Sequence, residues 1–160
     1  MFKVLFVCTG NICRSPTAEA VFRQMVWQAG LAERITTASA GTHGYHVGEP
    51  PDRRSCTAAR KLGYHMDELR ARKFSPRDFH NFDLLLAMDR SHRNFISRQA
   101  PAALADRLHL FLEYTGQSGS LDVPDPYYGG DDGFIKVLNL IEGGCRSLLG
   151  AIERINTLKT

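Results

Sequence analysis

Apolar and polar positions along the chain follow two rhythms in turn. Phe2 to Val7 (FKVLFV) is an almost unbroken apolar run that stops at Cys-Thr-Gly-Asn, as expected of a strand buried on both faces. From Ser15 to Gly30 the period changes. Ala18, Val21, Phe22, Met25 and Val26 recur at helical spacing, which predicts an amphipathic helix with Ser15 as N-cap, Pro16 in its first turn and Gly30 as its stop. The exchange then repeats. Ile35 to Ala40 predicts a second strand, Asp52 to Leu62 a helix stopped by Gly63, Ser75-Pro76 a further helix start, and Asp83 to Ala87 a third strand. Asp89 to Gln99 reads as helix and Leu108 to Leu112 as strand. Phe134 to Leu158 reads as a long closing helix with Ile135, Leu138, Ile141, Leu148 and Ile152 along its inner side. Strands alternating with helices imply an α/β fold on an open parallel sheet. Two stretches keep neither rhythm, Gly41 to Asp52 and Thr115 to Gly133. Loops after strand ends are where such sheets carry their sites.

Composition narrows the picture without changing it. The 160 residues, 43% hydrophobic and 23% charged, suit one domain over residues 1–160 with a real core. A net charge of +3 from scattered basic residues gives no reason to expect nucleic acid. Phe2 to Val7 is too short for a signal peptide or a membrane span, so a cytoplasmic location and no membrane insertion are expected. Cysteines at 8, 13, 56 and 145 show neither metal spacing nor a dense disulfide framework, and reduced thiols are expected. The six histidines form no His-x-His or i, i+4 pair, so neither metal nor cofactor is expected.

The chemistry concentrates at Cys8-Thr9-Gly10-Asn11-Ile12-Cys13-Arg14-Ser15. An arginine six positions after a cysteine says little alone: four cysteines and fifteen arginines in 160 residues give roughly 0.4 such matches by chance. Placement decides. This match joins a predicted strand to a predicted helix N-terminus, and Gly10 and Asn11 tolerate positive φ, so the loop can curl with its N–H groups inward. Such a ring above a helix N-terminus is an anion site that suits a phosphoryl group. Arg14 adds a planar fork that Lys cannot copy, and the same positive environment favours the Cys8 thiolate. Ser15 is placed to donate to that sulfur. The plain alternative for Cys8 is a small buried hydrophobe at a strand end. Attack of a thiolate on phosphorus expels an oxyanion that needs a proton, so a carboxyl group is expected elsewhere. Asp125, fixed between Pro124 and Pro126 and followed by Tyr127 and Tyr128, fits best, with Asp122, Asp131 and Asp132 as rivals. An ordinary turn is the plain reading of that stretch.

These residues resemble the low-molecular-weight protein tyrosine phosphatases. The likeness runs from Val7 through the Cys8 loop to Pro16, takes in Ser39-Ala-Gly, Gly63-Tyr64, Ala71-Arg72 and Met88-Asp89, and ends at Asp125-Pro-Tyr-Tyr128. It implies a single-domain, open, twisted four-stranded parallel sheet with helices on both faces and a phosphate-binding loop after the first strand. It also implies a two-step reaction through a cysteinyl-phosphate on Cys8. In that scheme Arg14 and the loop Thr9 to Cys13 hold the phosphoryl group, and Asp125 acts first as acid and then as base. Asn11 and Ser15 support the loop together with Ser39. Cys13 is implied as a redox partner of Cys8, and Tyr45 and His46 as a pocket wall with Tyr127 and Tyr128. The implied partners are a phosphotyrosine-containing protein or a small aryl phosphate, with inorganic phosphate and other oxyanions as product or inhibitor. Ile12 stands where phosphoarginine-directed relatives tend to carry Thr. Leu69 stands where many relatives place a supporting histidine, and His65 is a candidate to replace it. Two other readings of the loop are an arsenate reductase on the same scaffold, which would need Cys56 and Cys145 as a relay, and a non-catalytic phosphate-reading or thiol redox-sensing module.

Overall fold

A computed structural model describes residues 1–117, 119–127 and 129–158, with side chains as far as residue 155. The expectation for Tyr128 lies outside the described residues. Strand β1 (Phe2–Cys8) is central, because its side chains are apolar on both faces. It pairs in parallel with β2 (Ile35–Gly41) on one side and β3 (Leu84–Ala87) on the other. Strand β4 (Leu108–Leu110) adds to β3, giving the order β2-β1-β3-β4. Alternation along β1 divides the core. Val4, Phe6 and Cys8 face a layer that includes α1 (Arg14–Gln28), α2 (Arg53–Lys61) and α6 (Asp131–Leu158), whereas Leu5 and Val7 face Phe74, Phe79 and Ile96. The second layer is therefore built by α3 (Asp78–Asn81) and α4 (Arg90–Ser97). Phe6 meets Phe22 and Phe111 edge-on at 6.0 and 5.8 Å. Truncating so enclosed a ring to Ala would cost about 3–5 kcal/mol.

Helix α1 begins at Arg14, and its cap position falls on Cys13, two residues before the expected Ser15, without a side-chain cap bond. Ser15 is therefore not the N-cap, since its hydroxyl is engaged with Cys8 and Asn11. The Ser75-Pro76 start is delayed to Asp78, whose carboxylate accepts the Ser75 N–H at 2.9 Å. The strand expected over Leu108 to Leu112 ends at Leu110, where the chain turns into α5 (Phe111–Tyr114) and buries Phe111 and Leu112 as helical residues. Along α6 the inner side is Phe134, Val137, Leu138, Ile141, Cys145, Leu148 and Ile152, and Ile135 is 45% exposed. The expected face was displaced at its N-terminal end, where Phe134 turns in toward Ile12, Cys13 and Ala71. No described helix is long and apolar enough to cross a membrane.

The chain passes from β1 to β2 on one side and to β3 on the other, so the strand order reverses beside β1. The carboxyl end of β1 is thus a switch point of the sheet, where open α/β folds place their ligands.

Candidate active site

The loop leaving β1 is held by its carbonyls. Cys8 O accepts the Thr42 N–H at 2.8 Å, Thr9 O the His43 N–H at 3.1 Å and Ile12 O the Asp52 N–H at 2.8 Å. Among the described residues, none takes a hydrogen bond from the backbone N–H groups of Gly10 to Cys13. With carbonyls spent on the scaffold and amides left at the start of α1, the loop is an anion nest. Asn11 alone among the described non-glycine residues has positive φ, at 59°. Gly10 does not share it. A Cβ there would lie 2.8 Å from His46 Cδ2, so Gly10 provides space for an imidazole and not backbone freedom.

Asn11 holds its strained conformation through three bonds. Its Nδ2 donates to Ser15 Oγ at 2.8 Å and to Ser39 Oγ at 2.9 Å, and its Oδ1 accepts the Arg72 N–H at 3.0 Å. Both serines therefore accept from Asn11 and must send their own protons onward. Ser39 donates to Glu19 Oε1 at 2.7 Å, and Ser15 lies 2.9 Å from Cys8 Sγ. With Asn11 occupying its oxygen, the Ser15 hydroxyl is free to donate to the sulfur. Leu69 packs against the core as an apolar residue, and exposed His65 does not replace the missing histidine. Glu19 closes the far end of the chain of hydrogen bonds by accepting the Ser39 hydroxyl. Burial pushes its carboxyl above the ordinary range, partly offset by the Ser39 hydroxyl and Arg23. The position was readable in principle, since Glu19 lies four residues after Ser15 on the same helix face.

Arg14 is 3% exposed. Its Nη1 donates to Asp89 Oδ2 at 2.8 Å and to Val123 O at 2.9 Å. Nη2 lies 3.3 Å from His92 Nε2 and 3.6 Å from Asp125 Oδ2. His92, which sequence reasoning missed, is buried at the start of α4. Its Nδ1 accepts the Asp89 N–H at 3.2 Å in a reciprocal cap, and its Nε2 stands 2.8 Å from Thr9 Oγ1. One imidazole thus joins the phosphate loop, Arg14 and the helix after β3. Burial, with the Arg14 guanidinium alongside, pulls it down to about 4, so it is neutral at pH 7. Burial raises the Asp89 carboxyl, but Ser91, His92 and Arg14 outweigh it and hold the group below its usual range. The Asp-x-x-His spacing was the available signal, a variant of the capping box.

Cys8, Arg14 and Asp125 line one cavity of about 110 Å3, with Tyr45, His46 and Tyr127 around it. Asp125 Oδ1 accepts the Tyr127 N–H at 3.0 Å, which fixes the carboxyl within its loop. Arg54 ties that loop to α2: Nη2 donates to Tyr127 O at 3.1 Å, and the guanidinium lies 4.5 Å from the Phe134 ring centroid. This latch was not foreseen. Among the rival acids, Asp122 is bound by Arg90 at 2.9 Å, which lowers its carboxyl, and Asp131 and Asp132 belong to the first turn of α6. None of the three lines the cavity. His46 rests on Gly10 while its Nδ1 and Glu49 Oε2 lie 2.7 Å apart, so it is a wall residue and not a solvated side chain.

All four cysteines are free and buried. Burial, reinforced by Asp52, pushes Cys13 up to about 12. Cys56 faces Pro51 O and Cys145 faces Ala18 O. Burial raises both thiols as well, which makes them poor members of the relay an arsenate reductase would need.

The chain is similar to known proteins over nearly its whole length. The sequence profile of the low molecular weight phosphotyrosine protein phosphatases matches residues 3–158. A low molecular weight protein-tyrosine-phosphatase of Streptomyces coelicolor is 45% identical over 95% of this chain and 94% of its own. The Homo sapiens low molecular weight phosphotyrosine protein phosphatase is 39% identical over 92% of this chain and 93% of its own. The crystal structure of a protein tyrosine phosphatase from Entamoeba histolytica, with Hepes in its active site, superposes with a TM-score of 0.93 at 35% identity, covering 98% of this chain and 99% of that one. Sequence and fold agree over nearly the whole chain, which belongs to the low molecular weight phosphotyrosine protein phosphatase family.

Proposed function

We propose that in this protein-tyrosine phosphatase Cys8 is the nucleophile, Arg14 and the Thr9 to Cys13 amides hold the phosphoryl group, and Asp125 is the acid and base. The Cys8 sulfur attacks phosphorus, an S–P bond forms and the P–O bond to the aryl group breaks. Asp125 delivers a proton to the departing phenolate. A water then attacks the phosphocysteine, Asp125 takes its proton, and the S–P bond breaks to release inorganic phosphate. The Ser15 hydroxyl stabilises the thiolate as it leaves. Because the transition state spreads charge over the equatorial oxygens, the amide nest and the Arg14 fork supply most of the catalysis. His92 and Asp89 act as positioning residues that aim Arg14. The observation that carries the reading is the convergence of Cys8, Arg14 and Asp125 on one cavity of about 110 Å3.

Ile12 in the floor and Tyr45, His46 and Tyr127 around the cavity favour an aryl phosphate, either phosphotyrosine in a protein or a small phenol ester. Inorganic phosphate and similar oxyanions would bind the same nest as product or inhibitor. Oxidation of Cys8 by a peroxide to the sulfenic acid, followed by attack of the Cys13 sulfur with loss of water, would give a reversible disulfide. The high Cys13 pKa makes Cys8 the first to react.

The test is hydrolysis of aryl phosphates by wild type, Cys8→Ser and Asp125→Ala. Activity surviving in Cys8→Ser would sink the mechanism. Asp125→Ala should lose about 10²–10³-fold on a poor phenol leaving group and far less on an activated one. Equal losses on both would show that another group is the acid.

A further inference from the structure

The aromatic wall formed by Tyr45 continues beyond the pocket. Its ring is stacked on His43, with centroids 5.0 Å apart and planes at 11°, and His43 meets Phe95 of α4 at 4.9 Å. Tyr45 lines the Cys8 cavity, whereas His43 and Phe95 do not. The three rings thus lead from the cavity out over the protein surface. They are open to solvent at both ends, Tyr45 being 70% and Phe95 36% exposed.

The ladder is fixed relative to the nucleophile. The His43 N–H donates to Thr9 O at 3.1 Å within the phosphate loop, and His43 Nδ1 lies 2.8 Å from Thr42 Oγ1. Tyr127 and His46, also at the cavity, have charged neighbours in Arg54 and Glu49. The rings of the ladder touch one another. Rigid aromatics already held in place give contact area at little entropic cost.

We propose that the His43–Tyr45–Phe95 ladder docks an apolar side chain of the substrate polypeptide, two or three residues from the phosphotyrosine. The proposal rests on the phosphatase reading of the cavity. With the phosphorylated ring inside, the peptide leaves over Tyr45 and advances roughly 3.3–3.6 Å per extended residue. Two or three residues therefore carry it across the two ring-to-ring steps. An aliphatic or aromatic side chain there covers the exposed rings of Tyr45 and Phe95. An acidic one finds no partner on the faces of the Tyr45 and Phe95 rings. A small aryl phosphate never reaches Phe95.

The experiment compares phosphotyrosine peptides carrying Leu or Ser at the second and third positions on either side, together with a small aryl phosphate, on wild type and Phe95→Ala. Wild type should favour the Leu peptide on one side by about fivefold in kcat/KM, the share expected from half-burying one such side chain. Phe95→Ala should reduce that preference to less than about twofold and leave the aryl phosphate unchanged. Absence of a preference in wild type overturns the proposal, as does a preference that survives in Phe95→Ala. Parallel losses on peptide and aryl phosphate would show that the ladder only braces the loop. If wild type hydrolyses neither class, the phosphatase reading has failed and the docking proposal falls with it. Hydrolysis of the aryl phosphate without peptide selectivity defeats the docking proposal alone.

Discussion

Replacing Asn11 by Ala removes more than one side chain's contacts. Asn11 is 3% exposed and makes bonds of 2.8, 2.9 and 3.0 Å to Ser15, Ser39 and the Arg72 amide. At about 1 kcal/mol net for each bond, with about 1 more for Ala at a φ that Asn tolerates better, the loss is about 4 kcal/mol. A domain with ordinary stability survives that, with a fall in Tm of about 10 °C. Ser39→Ala, which loses its bonds to Asn11 and Glu19, should lose about 2 kcal/mol, and the double variant less than the two losses added, because they share one bond. Urea titrations of the four proteins measure these differences. The catalytic effect is separate: without Asn11, Ser15 is no longer oriented toward Cys8, and kcat on an activated aryl phosphate should fall at least about tenfold. A stability loss below about 1 kcal/mol, strict additivity with Ser39→Ala, or an unchanged kcat would each refute the proposed direction of the hydrogen-bond chain.

His92 should make stability fall in acid. Its folded pKa is depressed from 6.5 to about 4, so its contribution is complete above pH 6.5 and is lost as pH drops toward 4. The slope is at most about 1.4 kcal/mol per pH unit. His92→Gln should flatten that slope and raise the inhibition constant for inorganic phosphate; identical slopes would contradict a buried neutral imidazole. Glu19 works in the opposite sense, since its raised pKa makes stability fall as pH rises above 4.5. Glu19→Gln should thus be at least as stable as wild type at pH 7, and Glu19→Ala about 1–2 kcal/mol less stable, because Ser39 loses its acceptor. After brief peroxide treatment, thiol should restore activity to wild type but not to Cys13→Ser; equal recovery would remove Cys13 from the redox scheme.

The sequence carried the parts of this fold that local periodicity determines. FKVLFV could only be a strand enclosed on both sides, and β1 is the central strand. The start of α1 was less legible at Ser15, because a Ser-Pro pair signals a cap while the tertiary demand for a thiolate partner takes the hydroxyl. The misplaced inner face of α6 has a similar origin: the Phe134 and Ile135 pair is ambiguous until the loop residues Ile12 and Ala71 choose Phe134. Cys8 and Arg14 were legible because the loop is continuous in sequence. Glu19, His92 and Arg54 were not singled out, since each acts through a contact across the fold, to Ser39, to Thr9 and to the acid loop. The sequence showed the absence of a histidine at Leu69, but the fold was needed to bring Ser39 of β2 against the Glu19 carboxyl group of α1.

The central claim is that phosphate passes through the Cys8 sulfur. Rapid acid quench of Asp125→Ala mixed with an activated aryl phosphate, followed by mapping of the labelled peptide, tests it directly. Removing the base should slow the second step and let a phosphoenzyme accumulate, one phosphoryl group per chain, on the peptide containing Cys8 and absent from Cys8→Ser. Rapid phenol release from active enzyme with no phosphoryl group on that peptide, or the label on another residue, would contradict it.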